Sequence, residues 1–122
     1  MKKKILVVDD KETIAKIILS YLGDKFEIVW FDNPLKALDW LAEKERVDLI
    51  ISDLRMPEMR GDAFLAHLKS HEDYKSIPVV ILSGEDSTSE RIRLLEAGAE
   101  DYIVKPFNPV ELNLRVKRII KE

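Results

Sequence analysis

Five short apolar runs, each followed by a stretch with helical periodicity, restrict this chain more than any other feature. Ile5–Val8, Leu49–Ile51 and Ile77–Leu82 are continuous in apolar character. Strands covered on both faces read this way, because they lose the polar alternation of half-exposed ones. Phe26–Phe31 is more mixed, which suits an edge, and Tyr102–Val104 forms a last short strand.

The intervening stretches predict helices. Ile14, Ile17, Ile18, Tyr21 and Leu22 fall at i, i+3, i+4, i+7 and i+8, an inward stripe stopped at Gly23. Asn33 as N-cap and Pro34 as first residue open a helix with Ala37, Leu38 and Leu41 inward. Gly61 precedes a helix carrying Phe64, Leu65 and Leu68 on one face. Ser87 and Glu90 have capping-box spacing for a helix over 88–97 that Gly98 stops. Asn108 and Pro109 open a final helix in which Leu112, Val116 and Ile119 share a face.

Strict alternation with short links means parallel strands joined by right-handed crossovers, with helices on both faces. The order 2-1-3-4-5 keeps the mixed second strand at the edge, where its polarity costs least. The expectation is therefore an α/β, flavodoxin-like, doubly wound (βα)5 fold with a five-stranded parallel sheet, in one domain over residues 1–122.

Composition narrows the function classes. The chain has no cysteine, which excludes a disulfide framework and a thiolate metal site. A net charge of -3 offers no global attraction to nucleic acid or an anionic membrane. The Met1-Lys2-Lys3-Lys4 start imitates a secretory signal, but Asp9 and Asp10 end the apolar run after Val8. No stretch reaches transmembrane length, so the expected location is cytoplasmic, without membrane contact.

Four strands end at their carboxyl side on residues of definite chemistry: Asp9 and Asp10, Asp53, Ser83, and Lys105. Open parallel sheets hold ligands at that edge. In the expected order the first and third strands are neighbours, which brings three carboxylates together. Either one carboxyl keeps its proton or a cation neutralises the group. An all-oxygen set without imidazole or thiolate suits a hard octahedral ion, and Mg²⁺ is the abundant choice. A hydroxyl, an ammonium and a divalent cation converging on one carboxylate are what an incoming phosphoryl group needs.

Val7-Val8-Asp9-Asp10, Ser52-Asp53-Leu54-Arg55-Met56-Pro57, Val80-Ile81-Leu82-Ser83-Gly84 and Ala97–Phe107 with its Lys105-Pro106 resemble the receiver domain of two-component response regulators, over essentially the whole chain. The resemblance implies that Asp53 is the phosphoacceptor, loaded from a sensor histidine kinase or phosphotransfer protein. It implies that Asp10, Asp53 and the backbone carbonyl of Arg55 ligate Mg²⁺, with Asp9 acting through a water. It further implies that Lys105 pairs with phosphoryl oxygens, that Lys105-Pro106 is cis, and that Ser83 stands where the family also carries threonine. Arg55 and Glu85 occupy positions that tune hydrolysis of the acyl phosphate. Such a domain is a signalling module that catalyses only its own phosphorylation and dephosphorylation.

Added charge at Asp53 has to bias an element with two arrangements. Ser83 is the nearest movable donor and Tyr102 lies on the neighbouring strand, a switch pair that the resemblance supports. The fourth and fifth helices carry more apolar residues than one buried face can use. Ile92, Leu95 and Leu114, with the charges Arg91, Asp101 and Arg115, read as a self-complementary surface for a homodimer formed on phosphorylation. This resembles the dimer face of transcription-factor receivers.

Two other enzyme or binder classes fit less well. A haloacid-dehalogenase-type phosphohydrolase wants Asp-x-Asp after the first strand, whereas this chain reads Asp9-Asp10-Lys11-Glu12. A flavin or nucleotide binder wants a phosphate-cradling loop there, and no glycine precedes Gly23. His67 and His71 read as a solvated helix face, and Trp30 and Trp40 as packing residues. Lys117, Arg118 and Lys121 suit the negative end of the last helix rather than a nucleic-acid stripe.

Overall fold

The computed structural model describes residues 2–121, so Met1 and Glu122 of the expected 1–122 unit lie outside it. β1 (Lys3–Val8), β2 (Phe26–Phe31), β3 (Leu49–Asp53), β4 (Val79–Ser83) and β5 (Asp101–Val104) alternate with α1 (Glu12–Leu22), α2 (Pro34–Leu41), α3 (Gly61–Ser70), α4 (Thr88–Glu96) and α5 (Pro109–Ile120). Every strand pairing is parallel and the sheet order is β2-β1-β3-β4-β5, the flavodoxin-like arrangement. β3 and β4 are buried at every residue, while β2 at the edge is mostly half-buried.

Alternate side chains of each strand feed two separate cores. Leu6, Val8, Ile50 and Ile81 pack against α2, α3 and α4 through Ala37, Leu41, Phe64, Leu65, Leu68 and Leu94. Ile5, Val7, Ile51, Val80 and Leu82 pack against α1 and α5 through Ile18, Leu22, Leu112 and Val116. Each fully buried leucine or isoleucine contributes roughly 1.5–3 kcal/mol of transfer free energy. These layers hold the carboxyl edge of the sheet rigid.

The expected caps are present where a side chain can reach a free amide. Asn33 Oδ1 accepts from the Leu35 amide at 2.7 Å, and Asn108 Oδ1 from Val110 and Glu111. Ser87 Oγ accepts from the Glu90 amide, but the reciprocal half of the capping box is replaced: the Glu90 carboxylate pairs with Arg93. Gly98 ends α4 with φ +113, and the Ala99 amide reaches back to the Leu94 carbonyl at 3.0 Å.

Three sequence expectations shift. In α1 the buried residues are Ala15, Ile18 and Leu22, and Ile17 and Tyr21 are exposed. Small Ala15 lies on the buried face, so the stripe is turned about the axis relative to the one drawn through the large side chains. β4 begins at Val79 rather than Ile77, because Lys69 Nζ captures the Ile77 carbonyl at 2.8 Å and Pro78 has no N–H to give. β5 begins one residue early, at Asp101, in register with Val80.

Candidate functional site

β1 delivers Asp9 fully buried, and every polar atom of that residue is engaged. Its amide donates to the Phe31 carbonyl at 3.2 Å, and its own carbonyl accepts the Trp30 indole N–H at 2.8 Å. Oδ1 accepts the Lys11 amide at 2.9 Å, and Oδ2 accepts Lys105 Nζ at 3.0 Å. Asp10 is exposed, and the nearest cation to its carboxylate is Lys11 Nζ at 3.8 Å.

β3 ends on Asp53, which is 4% exposed. Its Oδ1 accepts the Leu54 amide at 2.9 Å and lies 3.2 Å from Lys105 Nζ. The Ser52 hydroxyl donates to the Asp53 carbonyl at 2.9 Å. α3 starts directly against this strand end. A Cβ on Gly61 would stand 2.2 Å from the Asp53 carbonyl oxygen and 2.8 Å from Leu54 Cα, so only glycine lets the helix approach so closely.

Carboxylate oxygens of Asp9, Asp10 and Asp53 all lie within 4.8 Å of one another. Burial pushes the Asp53 pKa up, and the neighbouring Asp9 charge pushes it further, while Lys105 and the Leu54 amide work against that rise. Three carboxylates thus face one ammonium. The donor set is all oxygen, with no nitrogen or sulfur ligand among the clustered groups, and its excess negative charge fits a hard divalent cation such as Mg²⁺.

Ser83, at the end of β4, is 1% exposed, and its Oγ accepts the Glu85 amide at 3.0 Å instead of bonding Asp53. Tyr102 on β5 is buried, and its hydroxyl donates to the Glu85 carbonyl at 2.7 Å. Arg55, two residues past Asp53, forms an ion pair with the Glu85 carboxylate across the rim. Glu85 is thereby held at three points by three predicted residues. The Lys105–Pro106 peptide is cis.

The surface formed by α4, β5 and α5 exposes Ile92, Leu95 and Leu114 at 51%, 40% and 60%. Its charges find partners within the chain. Arg115 reaches both Asp101 oxygens at 3.1 Å and Glu111 at 2.8 Å, and Arg91 lies 3.6 Å from Asp86. His67 is exposed, and His71, the C-cap of α3, stacks on Tyr74 at 4.2 Å.

Sequence reasoning missed Gly61 and Trp30. A glycine opening a helix just after the Asp53 loop was the available signal for the first. For the second it was an indole N–H on a strand that needs a partner when buried.

The family description of the response regulator receiver domain matches residues 5–117. The transcriptional regulatory protein SrrA of Staphylococcus aureus (strain NCTC 8325 / PS 47) is 37% identical over 122 residues, covering 99% of this chain and 49% of that protein. The chain therefore spans about half the length of the curated relatives it matches. The chemotaxis response regulator CheY4 of Vibrio cholerae superposes with a TM-score of 0.89 at 33% identity, over 98% of this chain and 99% of that one. The receiver domain of the sensor histidine kinase PA1611 of Pseudomonas aeruginosa PAO1, with a magnesium ion coordinated in its active site cleft, matches over 100% of both chains at a TM-score of 0.83 and 27% identity. With the sheet order, the acidic cluster and these matches in agreement, the chain belongs to the receiver domain family of two-component response regulators.

Proposed function

We propose that Asp53 accepts a phosphoryl group from a phosphohistidine of a sensor histidine kinase or phosphotransfer protein, in a reaction that requires Mg²⁺. The observation that carries this reading is the placement of Lys105 Nζ, 3.0 Å from Asp9 and 3.2 Å from Asp53, beside a cluster of three carboxylates. Lys105 opposes the rise that burial and the Asp9 charge impose on the Asp53 pKa, and so favours the ionised carboxylate that a nucleophile needs. An Asp53 oxygen bonds to phosphorus as the phosphorus–nitrogen bond breaks, and the electron pair leaves with the imidazole.

Asp10, Asp53 and the Arg55 backbone carbonyl would hold the cation, and Asp9 would act on it through a water. Bound Mg²⁺ supplies positive charge to the phosphoryl oxygens. Lys105 adds a second positive group, and the Ser83 hydroxyl donates to a phosphoryl oxygen once it leaves the Glu85 amide. Hydrolysis of the acyl phosphate at the same site resets Asp53, so the residues 1–122 act as a phosphoacceptor unit and on no other substrate. Arg55 and Glu85, paired across the rim, modulate that reset.

Ser83 and Tyr102 transmit the change. Both hold Glu85 in the loop between β4 and α4, so withdrawal of the Ser83 hydroxyl loosens the loop that feeds α4. The responding surface is α4, β5 and α5. Arg91, Ile92, Leu95, Asp101, Leu114 and Arg115 form a homodimer contact there after phosphorylation, with neither nucleic acid nor membrane touched by this domain. No described helix is long and apolar enough to cross a membrane, which agrees with a cytoplasmic setting.

Intact mass after incubation with acetyl phosphate tests the reading, with and without Mg²⁺, on the wild type and on Asp53→Asn. One phosphoryl increment dependent on both Mg²⁺ and Asp53 is expected. No increment in a folded protein, with a donor active on another receiver, would overturn it.

A further inference from the structure

Of the three clustered carboxylates, Asp10 has the fewest protein contacts. Asp9 is held at four points and Asp53 by the Leu54 amide and Lys105. Asp10 is exposed, with a lone 3.8 Å approach from the flexible Lys11. What fixes its position is therefore the backbone that carries it. The Asp9–Asp10 peptide leaves β1 where the ladder with β2 stops, since Val8 and Phe31 are the last paired residues. At that point the Asp9 carbonyl accepts a side-chain donor, the Trp30 indole N–H, at 2.8 Å. Because the peptide unit is planar, anchoring that carbonyl also orients the Asp10 amide and Cα.

We infer that Trp30 is a positioning residue for the cation site, which holds the Asp9–Asp10 peptide so that the Asp10 carboxylate faces Asp53. This rests on the reading of the acidic cluster as a Mg²⁺ site. Trp30 suits the task because its half-buried ring packs against the core on the α1 and α5 side of the sheet and its single donor has one direction. The anchor is thus part of the rigid sheet rather than of a loop. Outer partners that orient ligands govern affinity although they never touch the metal, and their loss costs about 10–100-fold.

The test is a calorimetric Mg²⁺ titration of the full chain as wild type and in three variants. Trp30→Phe keeps an aromatic ring and loses the N–H donor. A benzothienylalanine at position 30 keeps the whole bicyclic shape without the donor, and serves if the phenylalanine variant does not fold. Trp40→Phe is the control, since Trp40 lies on α2 against Phe31 and Lys4. The inference expects Kd for Mg²⁺ to rise about tenfold in the position-30 variants and to stay unchanged in Trp40→Phe, with the cation-free benzothienylalanine protein still unfolding in one cooperative transition. Affinity within twofold of wild type in that protein would overturn the role of Trp30 alone. A wild type that takes up no Mg²⁺ would overturn the cation site itself and this inference with it.

Discussion

The Tyr102 hydroxyl donates to the Glu85 carbonyl at 2.7 Å, tying a buried side chain of β5 to the loop that leaves β4. Tyr102→Phe removes this bond and keeps the ring. A loss of about 1 kcal/mol in urea unfolding is expected, with faster amide exchange over Gly84–Ser87. Unchanged exchange in that loop would mean that Tyr102 does not restrain it.

Asp53 sets a pH dependence whose sign follows from its environment. Burial and the Asp9 charge raise its folded pKa above the unfolded value, so the native state binds the proton more tightly. The stability from that group is fully present below the unfolded pKa, and is lost as pH rises through the folded one. Asp53→Asn should therefore raise the urea midpoint of the cation-free protein at pH 7, and the advantage should fade as pH falls through the folded pKa and be gone by about pH 4. In the wild type, Mg²⁺ at tenfold over its Kd should restore roughly 1.4 kcal/mol at neutral pH, and the variant should gain less.

Lys105→Gln leaves Asp9 and Asp53 facing each other without their ammonium, whose side chain is 16% exposed. Breaking a buried pair in this way costs about 3 kcal/mol. Urea unfolding at pH 7 should show that loss, and part of it should return at a pH where the carboxylates are protonated. Mg²⁺ should bind the variant at least as well as wild type in calorimetry, since a competing positive charge is gone.

Gly61→Ala places a methyl 2.2 Å from the Asp53 carbonyl oxygen, a backbone atom that no rotamer change can move aside. A loss of about 2–3 kcal/mol is expected in denaturant unfolding. The phosphoryl increment from acetyl phosphate should also accumulate more slowly, because the strand end carrying Asp53 has to yield. Lowered stability with normal phosphorylation would show that the displacement falls on α3 alone.

The strands and the residues at their ends were legible because two physical signals coincide there. Ile5–Val8 and Leu49–Ile51 are apolar on both faces and stop abruptly on acids, so their burial and their carboxyl edge could be read together. The face of α1 was misread because periodicity weighs large side chains. Small Ala15 joins Ile18 and Leu22 on the buried face, and Ile17 and Tyr21 lie outside. Trp30 and Gly61 stayed hidden for another reason. Each meets a backbone atom of a separate element, Asp9 for Trp30 and Asp53 for Gly61, and hydrophobic periodicity does not record such a contact. Glu85 was singled out for its charge, whereas its amide and carbonyl turned out to be the atoms that Ser83 and Tyr102 grasp.

Lys105 and Asp9 are 96 positions apart, yet they meet at 3.0 Å. During synthesis the acidic cluster is therefore complete long before its counter-charge emerges. A chain clipped before β5 would present Asp9 and Asp53 with their mutual repulsion unrelieved. Under the function proposed above, competence to take up a phosphoryl group would double as proof that the final strand has docked, and half-made molecules would not draw on the donor.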